Sequence, residues 1–315
     1  MRIRTARLLD LARIEEMHRS SEIRLSESEP PAARLWSLVS STLSAFMPLS
    51  QETLMYVAED GGKVVGFIQA SGQPLGLDLR RARVLQVLNL HVADESDMDE
   101  VAPALVQHLC NQALERGALR LFVRLPDRDA LLPAFRLQGF RQYATEQVLY
   151  SDRPKQRSDD YPLGVRPFRR GDDRRLYQLY RKVTPQGVSQ LEAPTFREWR
   201  ALHSGDLTGG HVVDRIETVG WARVQKGGEA RPNTLQLVAL PEAPLPAELA
   251  DFGISLLGDS EAPAWSSLRH YDAHMIDALR GRGFSVLLTQ LLLIRELAVR
   301  VPKPVREKGL VPSFG

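Results

Sequence analysis

From Leu85 to Val92 the chain reads Leu-Gln-Val-Leu-Asn-Leu-His-Val, an apolar and partly alternating run that predicts a strand buried on at least one face. The pattern returns at Leu235-Gln-Leu-Val-Ala-Leu240, and a helix-forming segment follows each copy. Both runs therefore open a β-loop-α unit. Upstream, Ile3 to Arg7 predicts a short strand, and Asp10 stands as an N-cap before Leu11, Ile14 and Met17 at helical spacing. Leu35, Leu38, Val39, Leu43 and Phe46 form one apolar stripe of a second helix between Pro30-Pro31 and Pro48. Thr53 to Glu59 and Lys63 to Ala70 predict two strands joined through Asp60-Gly61-Gly62, a hairpin signal. After the Leu85 strand a helix is expected from about Asp99, with Val101, Leu105, His108, Leu109 and Ala113 on one side and Gly117 at its close. A strand over Leu119 to Leu125, a helical Asp127 to Leu137, a turn at Gly139 and a last strand over Phe140 to Tyr150 complete the first half.

Ser151 to Pro162 has two prolines and no apolar periodicity, which marks a linker. Beyond it the order restarts. An offset of 162 pairs Arg4 with Arg166, Asp10 with Asp172, Ile14 with Leu176 and Met17 with Leu179, with Asp172 or Asp173 as the new cap. Val65-Gly66-Phe67 corresponds to Val219-Gly220-Trp221, and Ala134 to Phe140 to Ala278 to Phe284 at an offset of 144. The shrinking offset reads as shorter loops in the second copy. The expected organisation is an N-terminal domain over 1–150, a linker over 151–163, a C-terminal domain over 164–300 and a tail over 301–315.

A length of 315 residues with 43% hydrophobic and 25% charged positions suits two globular domains with proper cores. The formal charge of +2 points to no nucleic-acid or membrane partner. Cys110 is the one cysteine, so there is no internal disulfide and no Cys-based zinc site, and a reducing, cytoplasmic setting is expected. The N-terminus carries no apolar signal-peptide core, and the longest apolar run, Val286 to Ile294, is too short to span a bilayer.

The element order, the glycine in Val64-Val-Gly-Phe, the central Leu85 strand and the closing Gly-Phe turns together resemble the GNAT acyltransferase superfamily, in each half almost end to end. The resemblance implies an α/β fold of two tandem domains, each a mixed sheet that splays open between its fourth and fifth strands. It also implies acetyl-CoA in that opening and an amine, free or on a peptide, as acceptor. Leu90 and Val92 on the central strand and Ala102 in the next helix would then lie along the cofactor. The family's general base often projects from this strand, which makes His91 the catalytic candidate, with Asn89 two residues away on the same face. A solvated strand-end histidine is the other role open to it. Ala239 and Pro241 stand at these positions in the second copy.

Two family motifs are altered. The phosphate-binding run falls on Asp97-Met-Asp-Glu-Val-Ala102, where carboxylates replace the cation and the first glycine, and in the second copy on a loop carrying Pro241, Pro244 and Pro246, which lack N–H groups. The family's acidic tyrosine is replaced by Phe135 and Leu279. Two readings of function follow: an acyl-CoA-dependent N-acyltransferase, or a non-catalytic relative whose open sheet binds another small ligand or a protein.

Among single residues, His18 could face the acceptor cleft or lie on the surface, and Cys110 is expected to pack in its helix. His270 and His274, four apart, are a possible metal pair or a cleft-lining pair. Trp199, Trp221 and Trp265 are expected in the core. Glu15, Glu16, Glu22 and Glu27 lie on a solvated helix and loop, in the region that shapes the acceptor pocket of GNAT-like folds.

Overall fold

The computed structural model describes residues 1–17, 52–72, 84–203, 207–227, 232–258 and 263–297. The predicted Leu35 to Phe46 helix, His18, Glu22, Glu27 and the 301–315 tail lie outside the described residues. The first half comprises β1 (Arg2–Thr5), α1 (11–17), β2 (Glu52–Asp60), β3 (Lys63–Gly72), β4 (Val84–Val92), α2 (Met98–Glu115), β5 (Arg120–Pro126), α3 (Leu132–Leu137) and β6 (Arg141–Ser151). The second comprises β7 (Val165–Pro167), α4 (Asp173–Val183), α5 (Gln186–Glu192), α6 (Phe196–Leu202), β8 (His211–Asp214), β9 (Thr218–Gln225), β10 (Asn233–Ala239), α7 (Leu245–Ser255), β11 (Ala264–Arg269), α8 (Ala273–Arg280) and β12 (Ser285–Glu296). The predicted helix over Asp127 to Leu137 is confined to α3, because Asp127 to Leu131 turns, with Asp129 accepting from the Leu131 N–H at 2.8 Å.

The described strands form one sheet in the order β1-β2-β3-β4-β5-β12-β6-β11-β10-β9-β8-β7. The two halves exchange their last strands: β12 lies between β5 and β6, and β6 lies between β12 and β11, all antiparallel. This explains the apolar run from Val286 to Ile294. Leu291 and Leu293 pack in the first half's core, while Ile294 packs on the opposite face with Val84 and Phe122. A strand at the centre of a sheet covered on both faces needs apolar residues at successive positions.

The duplication is visible in side-chain detail. The Arg4 guanidinium donates to both carboxylate oxygens of Asp10 at 2.7 and 2.9 Å and to Glu59 at 2.7 Å. Arg166 repeats this fork on Asp172 at 2.8 and 2.9 Å and reaches Asp214 at 2.9 Å. Asp172 stands at the N-cap position of α4 as expected, but its carboxylate makes no cap bond to the helix, and Asp10 ends the short helical turn before α1. Their carboxylates accept from the preceding backbone N–H groups of Arg7 and Arg169 and from the arginine, tying the first strand of each half to the turn that follows it.

Gly66 is required by close packing, and Gly220 sits in a tighter space than a side chain usually has. A Cβ on Gly66 would meet Val101 at 2.9 Å and the His91 carbonyl at 3.0 Å, and one on Gly220 would meet Val213 at 3.2 Å and Leu249 at 3.4 Å. α2 and α7 can thus lie directly on the third strand of their own halves.

Candidate active site

β4 and β5 run parallel and pair only at Val84, Leu85 and Gln86, opposite Arg120, Leu121 and Phe122. Beyond Gln86 they part. The stretch from Val87 to Val92 keeps β3 on one side and offers its other backbone edge to a gap bounded by Val123 to Pro126. Such an edge is a ready partner for an extended, amide-bearing ligand.

The β3–β4 register jumps inside this stretch: Gln69 opposes Asn89, but Ala70 opposes Val87, so Leu88 forms a bulge. The bulge reverses the side-chain alternation. Leu85 and Val87 join Leu90 in the core beneath α2, whereas Asn89 and His91 turn to the other face, beside Phe67, whose cluster includes Ile14 and Met17 of α1. The phase change is readable in the sequence, where the apolar positions move from 85 and 87 to 88, 90 and 92.

Asn89 Nδ2 donates to Gln69 Oε1 at 2.8 Å, and the His91 ring stacks on Phe67 with centroids 5.0 Å apart and planes inclined by 26°. The structure therefore brings Asn89 and His91 together at the gap. Leu90 and Val92 direct their side chains to the α2 core, so only their backbone can face a ligand in the opening. Ala102 is fully buried in the inward stripe of α2.

The N-terminus of α2 follows β4, and the Asp99, Glu100 and Val101 N–H groups there are bonded to Asp97. Asp97 is the N-cap, its carboxylate accepts from the Asp99 N–H at 2.9 Å, and Asp99 and Glu100 follow in the first turn. Three carboxylates occupy the end of the helix that would otherwise favour an anion. In the second half β10 and β11 pair only at Asn233 with Ala264 and Thr234 with Trp265 before they part. Here β10 has no bulge, Leu235, Leu237 and Ala239 all pack in the core, and α7 begins with Pro244, Leu245 and Pro246. The open edge of β4 offers backbone groups to an extended ligand, whereas the Asp97 carboxylate and the prolines at the start of α7 disfavour an anion at either helix N-terminus. Calorimetry with acetyl-CoA at low salt should accordingly give a dissociation constant weaker than micromolar, since each unmet polar interaction costs about 1–3 kcal/mol. Micromolar or tighter binding would overturn this account of the α2 terminus.

His270 lies in the turn before α8 rather than in the helix, and its Nδ1 approaches the Thr145 carbonyl at 3.4 Å. His274 Nε2 sits 3.0 Å from the Ala239 carbonyl, linking α8 to the end of β10. The two therefore serve separate contacts. No group of three metal-ligating side chains occurs among the described residues. Phe135 and Leu279 are fully buried. Cys110 is buried too, and burial pushes its thiol up to about 11. Trp199, Trp221 and Trp265 are core residues.

A polar junction between the halves was not legible in the sequence. Glu192 of α5 accepts from Tyr143 of β6 at 2.8 Å, from Arg269 of β11 at 2.9 Å and from Tyr180 of α4 at 3.2 Å. Glu146 of β6 lies 3.4 Å from Arg269. Burial works against its charge, but Arg124 and Arg269 outweigh that effect and hold the carboxylate below its ordinary range. Arg120 of β5 bonds to Glu198 and to the Leu191 carbonyl, docking α5 and α6 of the second half on the first half's strands. No local signal marks these residues, because they meet only through the strand exchange.

Residues 12–140 match the sequence model of the acetyltransferase (GNAT) family. Among curated proteins, none matches the sequence. Solved structures share the fold over nearly the whole chain. A GCN5-related N-acetyltransferase from Sphaerobacter thermophilus is 18% identical with a TM-score of 0.59, covering 95% of this chain and 96% of its own. A tandem GNAT protein from the clavulanic acid biosynthesis pathway is 15% identical with a TM-score of 0.57, covering 95% and 99%. A GCN5-related N-acetyltransferase from Anabaena variabilis is 15% identical with a TM-score of 0.52, covering 94% and 73%.

Proposed function

We propose that this chain, a tandem GNAT-fold protein whose first half belongs to the acetyltransferase (GNAT) family, is an N-acyltransferase that works in the gap between β4 and β5. The observation that carries the reading is the bulge at Leu88, which turns Asn89 and His91 together to the face of the open strand. His91 receives a proton from the ammonium of the acceptor, and the freed lone pair makes the nitrogen a nucleophile. Asn89 holds that nitrogen by a hydrogen bond. A thioester donor such as acetyl-CoA would supply the acyl carbon. Phe135 and Leu279 have no acidic group and are buried in the cores, so neither would protonate a leaving thiolate.

The test is release of free thiol from acyl thioesters in the presence of a panel of amines. A complete lack of amine-dependent thiol release across the panel would sink the proposal.

A second reading has its own observation. The self-capped N-terminus of α2, with Asp97, Asp99 and Glu100, favours a ligand without a diphosphate, and a GNAT fold that only binds such a ligand would need no base.

A further inference from the structure

The geometry points to Gln69 as a positioning residue that fixes which end of the Asn89 amide meets the acceptor, and through it to a site selective for nitrogen nucleophiles over hydroxyl groups. This inference rests on the acyl-transfer reading of the β4 gap. Gln69 and Asn89 are direct cross-strand partners on β3 and β4, and both side chains are half-buried on the His91 face. The 2.8 Å bond uses Nδ2 of Asn89 as donor and Oε1 of Gln69 as acceptor. Oδ1 of Asn89 takes no part in that bond. With Nδ2 directed at β3, the opposite end of a planar amide is directed away from β3, along the strand face that carries His91.

A carbonyl oxygen in that place accepts; it cannot donate. An ammonium acceptor has three N–H groups, so it can give one to Asn89 Oδ1 while His91 removes another. A hydroxyl acceptor has a single proton. If that proton goes to His91, Oδ1 faces the hydroxyl oxygen's lone pairs, and a desolvated acceptor is left unmet. The ordinary reason for a polar cross-strand pair is sheet stability, but that reason is indifferent to which amide end donates. Selection depends on it.

Three substitutions separate these roles. Gln69→Glu offers only acceptors and keeps the Asn89 orientation. Gln69→Lys offers only donors, so Asn89 must turn Oδ1 toward β3 and present Nδ2 to the gap. Gln69→Leu offers neither. With the full chain and a reactive amine, Gln69→Glu should keep KM within about two-fold. The Lys and Leu variants should raise KM roughly 10-fold, the loss of about one hydrogen bond to a charged group, while kcat changes much less because His91 is untouched. The Lys variant should also narrow the preference for amines over alcohols. Equal KM in all three variants, or equal damage from Glu and Lys, would overturn the inference.

A second measurement needs no turnover. In nitrogen-15 spectra of the ligand-free chain, the Asn89 side-chain amide signal should be displaced from its wild-type position in the Leu and Lys variants and conserved in Gln69→Glu. If the wild type transfers no acyl group but this pattern appears, the acyl-transfer reading has failed and the positioning role stands. If the signal is the same in every variant, the positioning role itself is refuted.

Discussion

Replacing His91 with alanine should lower turnover of an amine substrate roughly 10²–10⁴-fold, the range that a positioned general base contributes. The effect is expected of the first half alone. The bulge at Leu88 sets which face of β4 Asn89 and His91 take, while β10 has no bulge and carries Ala239 with Pro241 just beyond it. The cost in stability is small by comparison. His91 gives up its stacking on Phe67, and an aromatic pair of this kind is worth about 0.5–1.5 kcal/mol, which lowers the melting temperature of a protein this size by only about a few degrees. Rate and melting curve measured together therefore distinguish lost chemistry from lost structure. Activity that survives His91→Ala but disappears in His274→Ala would transfer the reaction to the second half.

Asp251→Asn should destabilise the protein by about 3–5 kcal/mol in chemical denaturation at neutral pH, the usual result of removing one partner from a buried ion pair. Asp251 and Arg282 are almost fully buried. Arg282 donates to both carboxylate oxygens, through Nε at 2.7 Å and through Nη2, and its other donors reach the Ala278 and Ala247 carbonyls at 2.8 Å each. The carboxylate also accepts from the Arg157 N–H at 2.8 Å, so the pair joins α7, the turn after α8 and the segment connecting the halves. A neutral amide leaves the guanidinium buried without its counter-charge. The double substitution Asp251→Leu with Arg282→Met should recover part of the loss.

The pH dependence has a definite sign. Burial disfavours the Asp251 charge, but the Arg282 hydrogen bonds and the Arg157 N–H outweigh it, and the carboxyl group titrates below its usual range. A folded-state pKa depressed in this way adds stability above the unfolded value of about 3.9 and loses it as pH falls through the lower folded value. The wild type should thus lose this contribution below about pH 4, while Asp251→Asn lacks that part of the acid transition. A variant within about 1 kcal/mol of the wild type at neutral pH would show that the pair contributes little.

Much of the architecture was legible before the structure. The repeat of the Leu85 pattern at Leu235, the offset that pairs Arg4 with Arg166, the glycines that join β2 to β3 and the helix beginning near Asp99 are all local signals, and short-range backbone geometry enforces them. The chemistry of the two helix-leading loops was equally plain, because a carboxylate at Asp97 or a proline at Pro244 acts on the backbone next to it. That Asn89 and His91 share a side follows from the two-residue period of a strand.

What the tertiary structure decided was partnership. The run from Val286 to Ile294 announces burial on both faces, yet no local property says that its neighbours are β5 and β6 of the other half. Asp172 does stand at an N-cap position, but the arginines six residues earlier bind the carboxylates of Asp10 and Asp172. Gln69, Glu192, Arg269 and the Asp251–Arg282 pair meet their partners 20, 49, 77 and 31 residues away. Periodicity shows which face a residue occupies, because each side chain's direction follows from its own backbone. Which residue stands opposite depends on strand register and order, and these are set by the free energy of the whole packed sheet.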